Sequence, residues 1–501
     1  MKEHGLNAIR TASPITQSGL FSSPSRLLGE DYAPARSIYL THIPAILVLT
    51  GLVTWIAGDE MAMVMAAAVA SLVACYLLWE WLFREGPTRF STILAMTLLL
   101  GYGLGAVNTW LTLPRGDLPL PAFLGLDEGV LARGMAAVLL SAAVLCFLGE
   151  LYERPLFGRE FRIPLDQPTY SLIYLGTLAI IIGYFTHSLD YGGVTNVFGE
   201  QQSVASALLS WILPPLAALA AAVFLASRKG VAKLLTGICT LILCVLLMTT
   251  GRRMVIYTAM EIIFALRLTG YRVKGAILKR ALLVAALAGF VALGITVLML
   301  LRLAANESGA GFHAPLSQRI QIAMTWVEDG TALKRATEAN QANVQRRTFV
   351  LGFFSDVLEG SSRTTPALGR DLLALTSLAV PRVLNPDKDL YFSEEGLVDE
   401  VFGLTYRDAA NSIITGGATD FGLPGVILYP LFMVCLMRFL IEIFARFLNP
   451  LPVSIVVLGA IFMLLQTEGT ITTYWVTIRN EILFSIILLI FSRLPVIRLR
   501  S

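Results

Sequence analysis

Charged residues are scarce in this chain of 501 residues: Asp, Glu, Lys and Arg together make up 15%, against about 25% in typical soluble proteins. Histidine is rarer still, with four residues. The five cysteines all lie inside apolar runs and lack the spacing of metal ligands, so neither a disulfide framework nor a metal site is implied. They are Cys75, Cys146, Cys239, Cys244 and Cys435. The net charge of +3 does not indicate a nucleic-acid partner.

Long apolar runs dominate the rest of the chain. Hydrophobic residues make up 56% of the sequence, and many runs are long enough to cross roughly 30 Å of hydrocarbon. We therefore predict an all-α polytopic membrane protein with about twelve transmembrane helices. The predicted spans are Ser37–Gly58, Met61–Phe83, Arg89–Leu111, Gly129–Gly149, Tyr170–His187, Val204–Ser227, Val231–Thr250, Met254–Leu268, Ala281–Ala304, Gly422–Arg446, Leu451–Gln466 and Ile471–Phe491.

These spans divide the chain into five parts. Residues 1–36 are polar and contain no short apolar core followed by small residues, so they differ from a cleaved signal peptide and are predicted to form a cytoplasmic tail. Residues 37–304 hold the first nine spans and residues 305–421 a large external loop. Residues 422–492 hold the last three spans, and residues 493–501 form a second cytoplasmic tail.

The Lys and Arg residues of the short loops predict the orientation. With the N-terminus inside, basic residues concentrate in the cytoplasmic connections, and the opposite short loops carry few beyond Arg115, Arg252 and Arg253. Both termini are therefore predicted to be cytoplasmic. Arg252 and Arg253 then lie on the outer side, where a positive-inside anchor does not explain them. Because a charge at membrane depth costs several kcal/mol, the pair indicates a function.

The segment 305–421 is the only predicted extramembrane stretch long enough to build a site. Apolar residues recur at helical spacing over Gln318–Trp326, Thr348–Leu358 and Asp371–Val380, and Pro381 ends the last of these. We predict helices that lie on the membrane face or against the bundle. The segment is mildly acidic, so its arginines are individually placed cations and do not form a polyanion-binding patch.

Two parts of this segment suit substrate binding. Arg382 and Lys388 follow the third predicted helix, together with Tyr391 and several carboxylates. A guanidinium grips phosphate oxygens as a fork and an ammonium adds a point charge, so these residues could hold a pyrophosphate. The alternative is a solvated turn with local ion pairs.

Farther on, Tyr406–Gly425 mixes small and hydrogen-bonding residues before the tenth span. Asp408, Asn411 and Ser412 could bond sugar hydroxyls. Four glycines would allow a substrate to approach the backbone closely: Gly416, Gly417, Gly422 and Gly425. The alternative is a plain connection between loop and helix.

Five ionisable residues in or near the spans must pair or face a cavity: Glu80, Glu261, Glu468, Arg479 and Glu481. Arg479 and Glu481 are two residues apart and lie on different helix faces, so they need separate partners. A proton or ion path would favour a secondary transporter, although the chain shows none of the internal symmetry typical of that class. A third hypothesis is a non-enzymatic scaffold of an envelope assembly, whose loop arginines would be replaceable.

The order of these features resembles the Wzy-type O-antigen or oligosaccharide repeat-unit polymerases, and also the related O-antigen ligases. The shared features are the span layout, a late external loop, a Gly-Arg pair that opens a middle span, a Pro-Arg followed by a Lys, and a closing Asp-Phe-Gly-x-x-Gly. The resemblance implies a GT-C-like bundle in the bacterial inner membrane. It also implies a metal-independent, inverting glycosyltransferase without a cofactor.

This resemblance also implies the substrates and partners. A growing glycan would pass from undecaprenyl pyrophosphate to another lipid-linked repeat, within membrane lipid and beside a Wzz-type chain-length regulator. The motifs fall on Gly251, Arg252, Arg253, Pro381, Arg382, Lys388, Asp420, Phe421, Gly422 and Gly425. The ligases use a loop histidine, and the outward candidates here, His187 and His313, do not align with it, so the polymerase is favoured over the ligase.

The chemistry of this transfer agrees with the residues. Arginines can stabilise a pyrophosphate leaving group, and a carboxylate can act as the base for the attacking hydroxyl. We assign catalytic roles to Arg253, Arg382, Glu395, Asp399 and Asp408, while Glu394 and Glu400 are further carboxylates among which the sequence does not choose a base. Substrate binding is assigned to Arg252, Arg302, Arg319, Lys388, Tyr391, Asn411 and Asp420. The alternative for Arg302 and Arg319 is an interfacial anchor.

Overall fold

The structure is a computed structural model that describes residues 41–81, 88–113, 116, 118–153, 155–156, 163–186, 204–227, 230–250, 252–270, 277–309, 316–338, 350–380, 384–385, 394–405 and 411–493. These residues form helices and no strand. Eight of the described helices are long and apolar enough to cross a membrane, and two shorter helices are also apolar. An all-α polytopic membrane protein is therefore confirmed.

Helices occupy the positions of the first nine predicted spans. They are α1 (Ile43–Ala57), α2 (Glu60–Trp79), α3 (Phe90–Leu98) with a π-helical turn (Leu99–Leu104) and α4 (Gly105–Thr112), the short α5 (Leu120–Phe123), α6 (Val130–Tyr152), α7 (Gln167–Phe185), α8 (Val204–Ala226), α9 (Val231–Thr250), α10 (Arg252–Leu268) and α11 (Ile277–Glu307). The third span is thus one continuous helical rod with a wider turn in its middle.

The remaining helices belong to the predicted loop and the last three spans. They are α12 (Leu316–Glu328), α13 (Val350–Arg363), α14 (Arg370–Ala379), α15 (Glu394–Phe402), α16 (Ile413–Phe421), α17 (Leu423–Phe447), α18 (Pro450–Leu464) and α19 (Ile471–Arg493). The three helices predicted from periodicity in the loop are confirmed as α12, α13 and α14.

Two helices at predicted span positions are not among the eight long apolar helices or the two shorter apolar helices. Helix α10 is short and begins with Arg252 and Arg253, and α19 carries Arg479 and Glu481 in its first half. The count of twelve spans therefore stays a prediction. Both helices nevertheless pack into the bundle, α10 against α8 and α18, and α19 against α18 and α14.

Hydrogen bonds at one end of the bundle connect three helix ends: the start of α3, the end of α6 and the end of α10. Arg267 Nη1 donates to Thr88 Oγ1 at 2.7 Å, so α10 finishes where α3 starts. Glu153 accepts the backbone N–H groups of Phe90 and Ser91 at 2.7 and 3.0 Å, and so caps α3. Burial raises the pKa of the Glu153 carboxyl above its usual 4.5. We call this the Thr88 end.

The opposite end, which we call the loop end, holds the first residues of α6 and part of the segment 305–421. Trp110 Nε1, near the end of α4, donates to Glu60 Oε1 at 2.6 Å. Arg133 Nη2, in the first turn of α6, donates to Glu359 of α13 at 2.8 Å. Helix α2, the α3–α4 rod and α6 therefore run between the two ends in alternating directions.

Helix α13 is an internal helix of the bundle. Phe353, Phe354 and Val357 are fully buried on its apolar face, and α13 packs against α6. The backbones approach closely because Gly134 has no side chain: a Cβ there would lie 1.9 Å from Ser355 Oγ. Of the two predicted locations for the loop helices, packing against the bundle is the one observed for α13.

Candidate functional site

The candidate site is at the loop end, where α13, α14, α16 and α19 come together. Helices α16 and α17 form a hairpin around Gly422, whose φ of 62° suits glycine. Gly417 and Gly425 face each other so closely that a Cβ on Gly417 would lie 2.2 Å from the Gly425 carbonyl oxygen. These two glycines, predicted to admit a substrate, are used for contact between helices.

A buried polar network marks the start of α16. Ser412 caps this helix by accepting the N–H of Thr415, and its hydroxyl lies 2.6 Å from the Tyr102 hydroxyl in the π-helical turn. Asn411 precedes the cap and is half-buried. Its side-chain oxygen is shielded from solvent, and among the described residues it accepts no hydrogen bond. The predicted hydrogen bond from a bound hydroxyl to Asn411 stays a prediction.

Asp420 is fully buried at the other end of α16. Its carboxylate accepts the backbone N–H groups of Asp371 and Leu372, both at 2.9 Å, and a short hydrogen bond from the Tyr429 hydroxyl. Free N–H groups and the positive end of the helix dipole at the first turn of α14 favour a carboxylate there. Each carboxylate oxygen of Asp420 therefore has a hydrogen-bond partner within the protein. The role of Asp420 in substrate binding stays a prediction.

Helix α14 runs alongside α19. Thr472 Oγ1 donates to the Leu375 carbonyl at 3.4 Å, and Arg479 Nη1 donates to the Ala379 carbonyl at 3.0 Å. The chain reaches Arg382 only three residues after Ala379. The second half of α14 thus brings the start of the predicted pyrophosphate segment to the side of α19.

The backbone of α10 starts on the same side of the molecule. Its last turn is tied to the Thr88 end through Arg267, and a helix of 17 residues is about 25 Å long. Near its start, the Tyr257 ring lies 6.1 Å from the Phe462 ring at the finish of α18. The start of α10, at Arg252 and Arg253, therefore lies on the side of the loop end. The side chains of these two arginines are outside the described part of the chain.

The remaining predicted site residues that the structure describes lie on α15, α11 and α12, and within the described part of the chain neither α11 nor α12 packs against the helices of the site. Glu395 is half-buried and Asp399 is exposed on α15, where Asp399 accepts a hydrogen bond from Thr405 at 3.2 Å. Arg302 is half-buried on α11, and Arg319 is almost fully buried on α12. The predictions for Arg382, Lys388, Tyr391 and Asp408 lie outside the described residues.

Two acidic side chains inside the bundle stand apart from this site. Glu261 on α10 and Glu481 on α19 are fully buried. Neither carboxylate has a hydrogen-bond partner among the described residues. Arg479 and Glu481 do not pair with each other, so the prediction that they need separate partners is confirmed for Arg479.

Sequence reasoning missed Tyr102, Asp371 and Tyr429 as members of the site. Their partners are remote in sequence: Tyr102 and Ser412 are 310 residues apart. The one local signal is the short spacing between Asp420 and Tyr429 across the hairpin glycine. Within the described residues, no group of three or more His, Cys, Asp or Glu side chains could hold a metal ion.

Comparisons of the chain with protein-family models, with curated proteins and with solved structures gave no match. The geometry of the loop end is therefore the basis for the functional argument.

Proposed function

We propose that this protein polymerises lipid-linked oligosaccharide repeat units at the outer face of a bacterial inner membrane. One observation carries the proposal: the backbone of α10 begins toward the end of the bundle where α13, α14 and α16 of the segment 305–421 pack together. Arg252 and Arg253 open α10, and Arg382 and Lys388 follow α14 in the sequence, so we infer that these four cations serve one site. Such cations suit a pyrophosphate joined to a sugar.

The proposed reaction is an inverting glycosyl transfer. The bond between the anomeric carbon of the donor glycan and the pyrophosphate oxygen breaks, and undecaprenyl pyrophosphate leaves with the electron pair. A hydroxyl of the acceptor repeat attacks the opposite face of that carbon and gives its proton to a carboxylate. Arg253 and Arg382 stabilise the leaving charge, and Glu395, Asp399 and Asp408 are the candidate bases.

The experiment is elongation of synthetic undecaprenyl pyrophosphate repeat units by the purified full chain in lipid. We expect a ladder of longer lipid-linked products. Because removal of one preorganised charge donor costs on the order of 100- to 1,000-fold in rate, Arg253→Ala and Arg382→Ala should nearly abolish the ladder. The matched control is Arg370→Ala, an exposed arginine on α14 that pairs with Glu400 at 2.8 Å, and it should stay within about twofold of wild type.

The outcomes separate the function from the site. A folded wild-type sample that forms no ladder, even with a chain-length regulator present, refutes the polymerase. Ladders that are unchanged in both arginine variants refute the site assignment and leave the polymerase standing. Transfer of the glycan to an acceptor without pyrophosphate indicates ligase-type activity.

A secondary transporter is the second candidate, and a specific observation favours it. Glu261 and Glu481 are buried in helices of the bundle without hydrogen-bond partners among the described residues. Ionisable groups inside a membrane bundle are frequent members of proton paths. Solute uptake into proteoliposomes that is driven by a pH gradient and lost in Glu261→Gln would support transport over polymerisation.

A further inference from the structure

Arg479 lies in the first half of α19, roughly 12 Å along the helix from Ile471. It is half-buried. Its hydrogen bonds are to two neutral oxygens: Nη1 donates to the Ala379 carbonyl at 3.0 Å, and Nε and Nη2 donate to Asn480 Oδ1 at 3.4 and 3.3 Å. No carboxylate of the described residues pairs with it.

The charge of Arg479 is therefore only partly compensated. The Ala379 carbonyl belongs to the last turn of α14, and a helix carries about half a negative elementary charge at that terminus. A guanidinium has five N–H donors, and three of them are used in these contacts. Among the described residues, two donors and part of the positive charge remain without a partner, in a helix where an uncompensated charge is costly.

We propose that Arg479 binds the diphosphate of an isoprenoid lipid, as a third arginine of the site that holds the leaving group. This inference rests on the proposed function, because it assigns a further binding residue to the same substrate. A diphosphate supplies the missing negative charge, and its oxygens match the free part of the guanidinium fork. The hydrogen bond to Ala379 positions Arg479 at the stretch of chain that leads to Arg382.

A purely structural role makes a different prediction. If Arg479 serves only to cap α14, its loss should affect stability in the same way as loss of the neighbouring contact between α19 and α14. Thr472 makes that contact, with its hydroxyl on the Leu375 carbonyl, and it carries no charge. Thr472→Val is therefore the matched control for Arg479→Ala.

The experiment measures binding of farnesyl pyrophosphate, with farnesol as the uncharged probe, to the purified full chain in detergent. Charged hydrogen bonds contribute enough that we expect Arg479→Ala to weaken farnesyl pyrophosphate binding on the order of 10- to 100-fold. Thr472→Val should stay within about twofold of wild type, and farnesol binding should not depend on Arg479. Wild-type affinity of a folded Arg479→Ala variant for farnesyl pyrophosphate overturns the inference.

A second variant covers the case in which Arg479→Ala does not fold. Arg479→Lys keeps the charge and one donor to Ala379 but lacks the planar fork, so it should fold and bind farnesyl pyrophosphate several-fold more weakly than wild type. Equal affinity of the lysine variant and wild type, together with no labelling of α19 by a photoreactive diphosphate, refutes the inference.

The two proposals fail in different ways. A wild-type chain that builds the glycan ladder while Arg479→Ala retains full activity and affinity refutes the role of Arg479 alone. A wild-type chain that binds farnesyl pyrophosphate through Arg479 but builds no ladder refutes the polymerase alone.

Discussion

Replacement of Asp420 tests whether this buried carboxylate holds the loop end together. The carboxylate accepts two backbone N–H groups at the first turn of α14 and the hydroxyl of Tyr429 from α17. It therefore joins three helices, α14, α16 and α17, through one side chain. Asp420→Ala removes all three hydrogen bonds, whereas Asp420→Asn preserves the shape and one acceptor oxygen.

The expected fall in the free energy of unfolding depends on the donor groups that lose their hydrogen-bond acceptor. An unsatisfied buried donor costs about 1–3 kcal/mol, and two N–H groups lose theirs in Asp420→Ala. The Tyr429 hydroxyl is able to rotate, so we count it as a smaller loss. The free energy of unfolding should fall by about 2–6 kcal/mol in Asp420→Ala and by about 1–3 kcal/mol in Asp420→Asn, whose amide keeps one carbonyl oxygen.

The assay is unfolding by sodium dodecyl sulfate in mixed micelles, followed by tryptophan fluorescence. The control is Asp399→Ala, because Asp399 is exposed and makes a single side-chain hydrogen bond at 3.2 Å, and a surface change of this kind is usually within about 0.5 kcal/mol. An Asp420→Ala variant as stable as this control refutes the reasoning. An Asp420→Asn variant that is stable but inactive would instead support the predicted role in substrate binding.

Two further predictions concern packing and pH. Gly417→Ala places a Cβ 2.2 Å from the Gly425 carbonyl oxygen and should lower the free energy of unfolding by about 1–3 kcal/mol or more. The control is Gly289→Ala on α11, which has open space around its Cβ and should be neutral or stabilising. Equal melting temperatures of the two variants would contradict this prediction. Burial raises the pKa of Glu153 above 4.5, so the stability linked to its proton is present below pH 4.5 and is lost as the pH rises through the raised pKa. The stability advantage of wild type over Glu153→Gln should therefore shrink as the pH rises from 4.5 through the raised pKa, and an advantage that grows with pH would show that the ionised form is preferred.

Hydropathy and helical periodicity predicted most helices because these signals are local. The span predicted at Gly129–Gly149 is observed as Val130–Tyr152, and the loop helix predicted at Thr348–Leu358 as Val350–Arg363. The second helix extends past its apolar residues because Glu359, in its last turns, pairs with Arg133 of α6. Such a pairing between remote residues leaves no trace in a local pattern.

The candidate site was harder to predict, since its geometry depends on contacts between distant parts of the chain. Asp420 and the N–H of Asp371 are 49 residues apart, and Arg479 and the Ala379 carbonyl are 100 residues apart. The π-helical turn at Leu99–Leu104 also contacts a residue that is distant in sequence: a Cβ on Gly101 would lie 2.1 Å from Thr467. Residue types indicated which groups could do chemistry, but only tertiary contacts decide which of them meet.

The internal position of α13 has a consequence for how the protein is made. Its partner helix α6 is synthesised first. The hydrogen bond from Arg133 to Glu359 forms only after Glu359, 226 residues later in the chain, has been made. At about 5–20 residues per second, the ribosome needs roughly 10–45 s to deliver that carboxylate. During this interval α6 is already made while its arginine lacks a counter-ion and the space for α13 is unfilled. The face of α6 that α13 covers in the folded protein is therefore open to lipid or to other helices until α13 has been made.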